Sequence, residues 1–279
     1  MKADPRPYAG ALIAFATMHG KEALAQQPFR DILGASVVAP AGLNTDQFGT
    51  FSGEIPRILT PHAAARAKVH LGIHLSGTLF GLASEGSFGS GFGPLVEHHE
   101  ILMFVDVSRG LELIEGTILT SPIPAGHKVM TVDAAVAYAG KVNFPTQGLV
   151  IRDGSDPSMV TKNFDSIDTL THMISQLLQQ EPQVTIEPDY RAHRCPSRAD
   201  TIRTLSARMA QRLDTACEQC ETPGFGRLDI ERGLRCTDCG LPTQLIAADI
   251  HGCGSCAHTV RIPRPEQSAS PRWCDSCNP

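Results

Sequence analysis

A chain of 279 residues, 42% of them hydrophobic, is long enough to bury a sizeable core, and its length points to one large domain with a smaller one attached. The net charge of -5 excludes a protein that coats nucleic acid through bulk charge, while leaving a local basic patch open. No stretch approaches the roughly 18 apolar residues that a membrane span needs, so no membrane partner is expected.

The chain starts "MKADPRPYAGALIAFATMHG", with Lys2 and Arg6 ahead of an apolar run from Ala9 to Ala16. Asp4, two prolines and the shortness of that run fit a buried first strand better than a secretory signal, so a cytoplasmic protein is expected. "MHGKEALAQQPFRDIL" has a helical pattern, "GASVVAP" reads as a second strand, "TPHAAARAKVHLGIHL" as an alanine-rich helix and "FGLASEG" as a short third strand. "HEILMFVDVSRG" and "LELIEGTILTSPIP" read as a strand pair joined at "SRG". "TVDAAVAYAG" is helical, "GLVIRDG" is a strand and "FDSIDTLTHMISQLLQQ" is a helix. Alternation interrupted by an antiparallel pair predicts a mixed-sheet α/β domain over residues 1–190. An arginine-bearing linker and helix fill 191–216, because Leu205, Met209 and Leu213 recur at helical spacing in "TIRTLSARMAQRLDTA".

The cysteines mark the remaining region, 217–279. None of the nine precedes position 195, and eight form four CxxC pairs: Cys217 with Cys220, Cys236 with Cys239, Cys253 with Cys256, and Cys274 with Cys277. A disulfide within one CxxC constrains almost no chain, whereas two thiolates on one tight turn supply half of a zinc tetrahedron. Two structural Zn2+ sites of four thiolates each are therefore expected, in zinc ribbons whose metals give folding energy that so small a core cannot. The intervals between pairs are similar, so sequential, nested and crossed sharing all stay open. The sequential scheme, with the first two pairs on one metal, is the working expectation. Cys195 is left as a plain thiol.

Polar residues sit at particular places in the first domain. Thr17, His19 and Lys21 fall on the turn after the first strand, where helix N–H groups and a lysine attract anions. The long polar loop "NTDQFGTFSGEIPR" carries Asp46, Glu54 and Arg57, and such loops are often functional. Arg66 and Lys68 lie amid alanines and read as a solvated helix face. Glu85 stands at a strand end before a glycine-rich turn, where, with a second acid such as Glu54 and phosphate oxygens, it can hold Mg2+. Asp106 closes an apolar strand, and "EHHE" (97–100) reads as the polar edge of that strand.

The order of "ATMHGK", "GTFSGE…AAARAK" and "GLASEGSFG", followed late in the chain by "DYRAHRCPSRADTI", resembles the house-cleaning nucleoside triphosphate pyrophosphatases of the inosine-triphosphatase type. That family has a Ser/Thr-x-Asn-x-x-Lys turn, a "TFxENAxxKA" helix, a strand ending in an acid and glycine, and a "SHR" segment. Here His19 replaces the Asn, Lys21 comes one position early, and Ser84 and Glu85 stand where the family has paired acids. The resemblance implies a Mg2+-dependent hydrolase of nucleotide phosphoanhydride bonds. Lys21 and Lys68, with Thr17, His19 and Arg57, would bind the triphosphate. Glu54 and Glu85 would hold Mg2+, and Glu85 or Asp106 would align the attacking water. Arg191, His193, Arg194 and Arg198 would clamp phosphates or base, with Lys141 and Phe144 near the base. The chain as a whole also looks like an uncharacterised bacterial family of pattern "CxxCxxPGF…GLxCxxCGxPT…CxxCNP", which implies no function. An alternative of another class is a non-catalytic adaptor that binds nucleic acid or protein through the ribbons, on a degenerate nucleotide-binding platform. A homodimer is compatible with either reading.

Overall fold

The computed structural model describes residues 6–50, 53–90, 96–152 and 159–279. Three expected features fall partly outside the described residues: positions 51–52 of the polar loop, 91–93 of the glycine-rich stretch and 153–154 after the "GLVIR" strand. Tyr8–Met209 forms one unit, and Ala210–Pro279, with Arg6 and Pro7, forms another.

The first unit opens with β1 (Leu12–Phe15), α1 (Glu22–Pro28) and β2 (Ser36–Val38). It continues through α2 (Pro61–Ser76), β3 (Phe80–Ser90), β4 (Val96–Asp106) and β5 (Leu111–Thr120). The five strands make one sheet in the order β2-β1-β3-β4-β5. β1 runs parallel to β2 and β3, while β3–β4 and β4–β5 are antiparallel, which is a mixed α/β sheet. α2 begins and ends where its sequence dictates. Thr60 Oγ1 accepts from the Ala63 N–H at 3.3 Å, Pro61 occupies the first turn, and Gly77 closes the helix at φ +62°. Ala65, Val69 and Ile73 of α2 pack with Ala83, Met103 and Val105 on one sheet face. α5 (Pro196–Leu213) serves the other face, where Arg198 and Arg208 pair with Glu100 and Glu115.

A second, antiparallel sheet has the order β6-β9-β7-β8, from β6 (His127–Val129), β7 (Leu149–Arg152), β8 (Val160–Thr161) and β9 (Val184–Pro188). α3 (Val132–Lys141) and α4 (Ile167–Leu177) give it a core of its own, with Ala135, Tyr138, Leu170 and Ile174 against Leu149, Ile151, Val184 and Ile186. β6, β8 and β9 have three, two and five residues, too few for a period to show in the sequence.

The glycine-rich stretch is not a turn through residue 90. Gly86, Ser87, Phe88 and Gly89 continue the β3 ladder opposite Glu100, His99, His98 and Glu97, so Glu85 lies inside the strand rather than at its end. Gly86 is there because a Cβ would collide with the Glu100 carboxylate and stand 2.9 Å from the Arg198 guanidinium. Nor is "EHHE" simply a polar edge. Strand alternation exposes Glu97 and His99 but buries His98 and Glu100.

The second unit carries β10 (Gly226–Arg232), β11 (Ile246–Gly252) and β12 (Thr259–Pro263) as an antiparallel meander. Its cysteines form two groups, Cys217, Cys220, Cys253 and Cys256, and Cys236, Cys239, Cys274 and Cys277. The sharing is therefore crossed, not sequential. The first pair precedes β10 and the third follows β11, and antiparallel pairing of Gly226 with Gly252 puts both at one end of the sheet. The second pair follows β10 and the fourth follows β12, and both ends lie beside the start of β11. Sequential sharing would join opposite ends of a seven-residue strand, about 20 Å apart.

Candidate functional site

β1 is short and β3 is long, and the site follows from that mismatch. β1 pairs with β3 only as far as Phe15 opposite Leu82, and the Ala16 N–H still reaches Leu82 O. Beyond that point the edge of β3 meets side chains instead of a strand. Lys21 Nζ donates to Ser84 O at 3.3 Å and to Ser84 Oγ at 3.0 Å. Arg57 donates from an Nη to Gly86 O at 2.8 Å. This crevice at the carboxyl end of β1 is where open α/β sheets bind ligands.

Both sheet faces supply the crevice. On the α2 face, buried Lys68 forms an ion pair with Glu85. On the α5 face, Arg198 makes a two-pronged bond to Glu100, Nε to Oε2 at 2.8 Å and Nη2 to Oε1 at 3.1 Å, and also donates to Tyr190 O at 2.9 Å. Arg198 and Glu100 are 1% and 0% exposed, so this is a fully desolvated pair. His98 adds a bond to Glu100 at 2.9 Å, and Phe88 is stacked between the rings of His98 and Tyr190. The resulting cavity, of about 50 Å³, is lined by Lys21, Arg57, Lys68, Lys162, Arg191 and Arg198, with Glu85 and Asp46 as its carboxylates. Thr45, Thr50, Gly49 and His19 complete much of the wall.

Two of the basic side chains in the cavity wall, Lys21 and Arg57, are displaced by their surroundings. Burial first, then the Arg198 charge, brings Lys21 down to about 7, against the pull of Glu100 and Glu85. Burial likewise lowers Arg57. Burial opposes ionisation of Glu100, but the Arg198 charge, hydrogen bonds from His98 and Arg198, and the Lys21 charge hold it at about 2. His19 and His193 lie side by side, with ring centroids 4.9 Å apart and planes tilted by 31°. Burial, then Arg191, brings His193 down to about 4, and burial lowers His19, so both rings are neutral near pH 7.

Of the residues expected from the sequence, His19, Lys21, Arg57, Lys68, Glu85, Arg191 and Arg198 line this one cavity. Thr17 stands behind it, its Oγ1 accepting from the His19 N–H at 3.1 Å. Glu54 is paired with the lining residue Lys162 at 2.8 Å. Others do not reach the cavity. Asp106 faces Phe80, five residues along β3 from Glu85 and so about 16 Å away. It accepts bonds from Tyr8, Ser108 and Arg109, the work of a strand-end turn former. Arg194 is bound to Asp165 and to the Phe164 carbonyl. Lys141 lines a separate groove with Pro124, His127 and Tyr138, and Phe144 packs on the core of the second sheet. Two contributors escaped the sequence reading, Glu100 and Lys162. Alternation along "VEHHEIL" was the signal that could have placed Glu100 inside.

The cysteine groups have the chemistry of structural zinc centres. Zn–S bonds of about 2.3 Å in a tetrahedron set the sulfurs about 3.8 Å apart. The Sγ atoms of Cys217 and Cys256 are 3.7 Å apart, those of Cys220 and Cys253 3.5 Å, Cys236 and Cys277 3.9 Å, and Cys239 and Cys274 3.5 Å. Four thiolates would leave a bound zinc no open position, so such a centre would hold the fold rather than perform chemistry.

No helix of the described residues is long and apolar enough to cross a membrane. No curated protein matches the chain, and the likeness to inosine-triphosphatase-type enzymes finds no support there. Among solved structures, a PelC variant dodecamer from Paraburkholderia phytofirmans is similar over 43% of this chain and 78% of its own, at 13% identity and a TM-score of 0.22, too low to carry an argument. Residues 68–279 match the family model DUF6671, described as a domain of unknown function, and the chain belongs to that family.

Proposed function

We propose that the cleft in Tyr8–Met209 binds a phosphate-bearing anion of nucleotide class, held by protein cations. The observation that carries this reading is the convergence of Lys21, Arg57, Lys68, Lys162, Arg191 and Arg198 on one cavity with only two carboxylates, Glu85 and Asp46. The cavity has room for about one phosphate group, so the rest of a larger ligand extends past its mouth.

Cleavage of a phosphoanhydride with Mg2+ is the finer form of the reading, and the residues fit it poorly. Glu85 is engaged by Lys68 and Glu54 by Lys162, so each of the two acids expected to hold Mg2+ is already paired with a lysine. The cleft supports binding more strongly than metal-dependent hydrolysis. The ribbons give little support to a nucleic-acid adaptor, because residues 217–279 hold six arginines, no lysine and eight acids. Arg261 and Arg264 are moreover paired with Glu231 and Asp249.

The experiment is a titration of the zinc-loaded protein with phosphate, pyrophosphate and nucleoside triphosphates, with and without Mg2+, while released pyrophosphate is followed. Binding with Kd below about 1 mM, weakened roughly tenfold or more in Arg57→Ala, is the expected result. Absence of binding by every anion, or binding untouched by that substitution, overturns the proposal. Release of pyrophosphate that depends on Mg2+ restores the hydrolytic form.

A further inference from the structure

Lys21 is half-buried and stands in the wall of the cavity. Nζ makes two hydrogen bonds among the described residues, both as donor and both to Ser84. A neutral amine has two N–H donors and a lone pair, whereas an ammonium has three donors. Ser84 therefore accepts from both N–H groups that a neutral amine has. The third position of the nitrogen is what differs between the two forms, and Lys21 is also part of the cavity wall.

We propose that anion binding in the cleft is coupled to proton uptake at Lys21, an amine in the empty cleft that becomes an ammonium when an anion enters. This deepens the anion-binding reading and rests on it. The groups facing Lys21 come from every element around it: Arg198 of α5, Glu100 of β4, Glu85 of β3, Lys68 of α2, and His19 on its own turn. Among the described residues Glu85 is matched by Lys68 and Glu100 by Arg198, the cavity's other carboxylate, Asp46, stands 3.9 Å from the His19 ring, and Lys21 itself forms no ion pair. An entering anion supplies the missing negative charge and accepts the third N–H. The displacement of Lys21 to about 7 agrees with this arrangement. Mass action then requires that anions bind more weakly as protons become scarce. The chemistry balances: one proton moves from solvent to Nζ, and no bond other than N–H is formed.

The test uses sulfate, whose charge is fixed over the range of interest, with the full zinc-loaded chain. Calorimetric titration at pH 7 to 8 in two buffers of different ionisation enthalpy reads the protons taken up per anion. Uptake of about half a proton or more is expected, with affinity falling up to about tenfold per pH unit above 8. Lys21→Arg, permanently charged, should bind sulfate without proton uptake and with a flatter pH profile; Lys21→Met should bind weakly at every pH. Circular dichroism reports whether each variant folds, and the wild-type calorimetry stands without them. Sulfate binding with no proton uptake overturns this inference and leaves the anion cleft intact. Uptake that persists in Lys21→Arg overturns it as well, by assigning the proton to another group. Failure of sulfate, phosphate and pyrophosphate alike to bind at any pH removes the cleft reading and the coupling together.

Discussion

Glu100 and Gly86 show how far one position depends on another. The carboxylate is buried because α5 brings a guanidinium to meet it, and the glycine faces it because no larger residue fits beside that pair. Glu100→Gln leaves Arg198 desolvated without its counter-charge. A loss of about 3–5 kcal/mol in urea denaturation is expected, as for other broken buried pairs. Gly86→Ala pushes a methyl into the same carboxylate and should lower stability by about 1–3 kcal/mol, partly recovered when Glu100 is shortened to Asp. The pH dependence has a definite sign. The folded carboxyl sits at about 2, below its ordinary 4.5, so its stabilisation is present above pH 4.5 and is lost as pH falls towards 2. That part of the acid sensitivity should be missing from Glu100→Gln, measured by exchange of β3 and β4 amides so that zinc loss elsewhere does not intrude.

Among the elements, the ribbon meander makes the sharpest statement. Each four-cysteine group gathers turns at one end of the β10–β11–β12 sheet, so the crossed grouping is a consequence of antiparallel order. Replacing Cys217, Cys220, Cys253 and Cys256 together by serine should leave one zinc per chain, counted by a metallochromic dye after denaturation. Replacing Cys217, Cys220, Cys236 and Cys239 together removes half the ligands of both sites and should leave none. The reverse result would restore sequential sharing. On β3, Gly86 and Gly89, which read as part of a turn, are strand residues, because the ladder with β4 supplies their backbone hydrogen bonds, and at Gly86 the Glu100–Arg198 pair also needs the space.

Across the whole molecule, the two units hold themselves together by different means. Tyr8–Met209 has apolar cores under α2 and between α3, α4 and the second sheet. Ala210–Pro279 has short strands, with β10 largely and β12 wholly exposed on either side of a half-buried β11, and relies on its thiolate groups. Chelation of zinc should therefore raise amide exchange in β10–β12 to near the unfolded rate while β1, β3 and β4 stay protected. Equal loss of protection in both units would show that the first also depends on the metals.

The zinc ligands and the strand–helix alternation were legible in the sequence, because CxxC spacing and hydrophobic period are local and each encodes its own geometry. The sequence placed Lys21, Lys68, Glu85 and Arg198 among the candidates but had no means of setting them around one cavity. Lys68 read as a solvated helix residue, and Glu100 was absent from the list. Which cysteines share a metal, which face of β4 is buried, and why Asp106 and Lys141 lie elsewhere are properties of strand order and register. Those depend on pairings across tens of residues, where the free energy comes from contacts that no neighbouring stretch of chain contains.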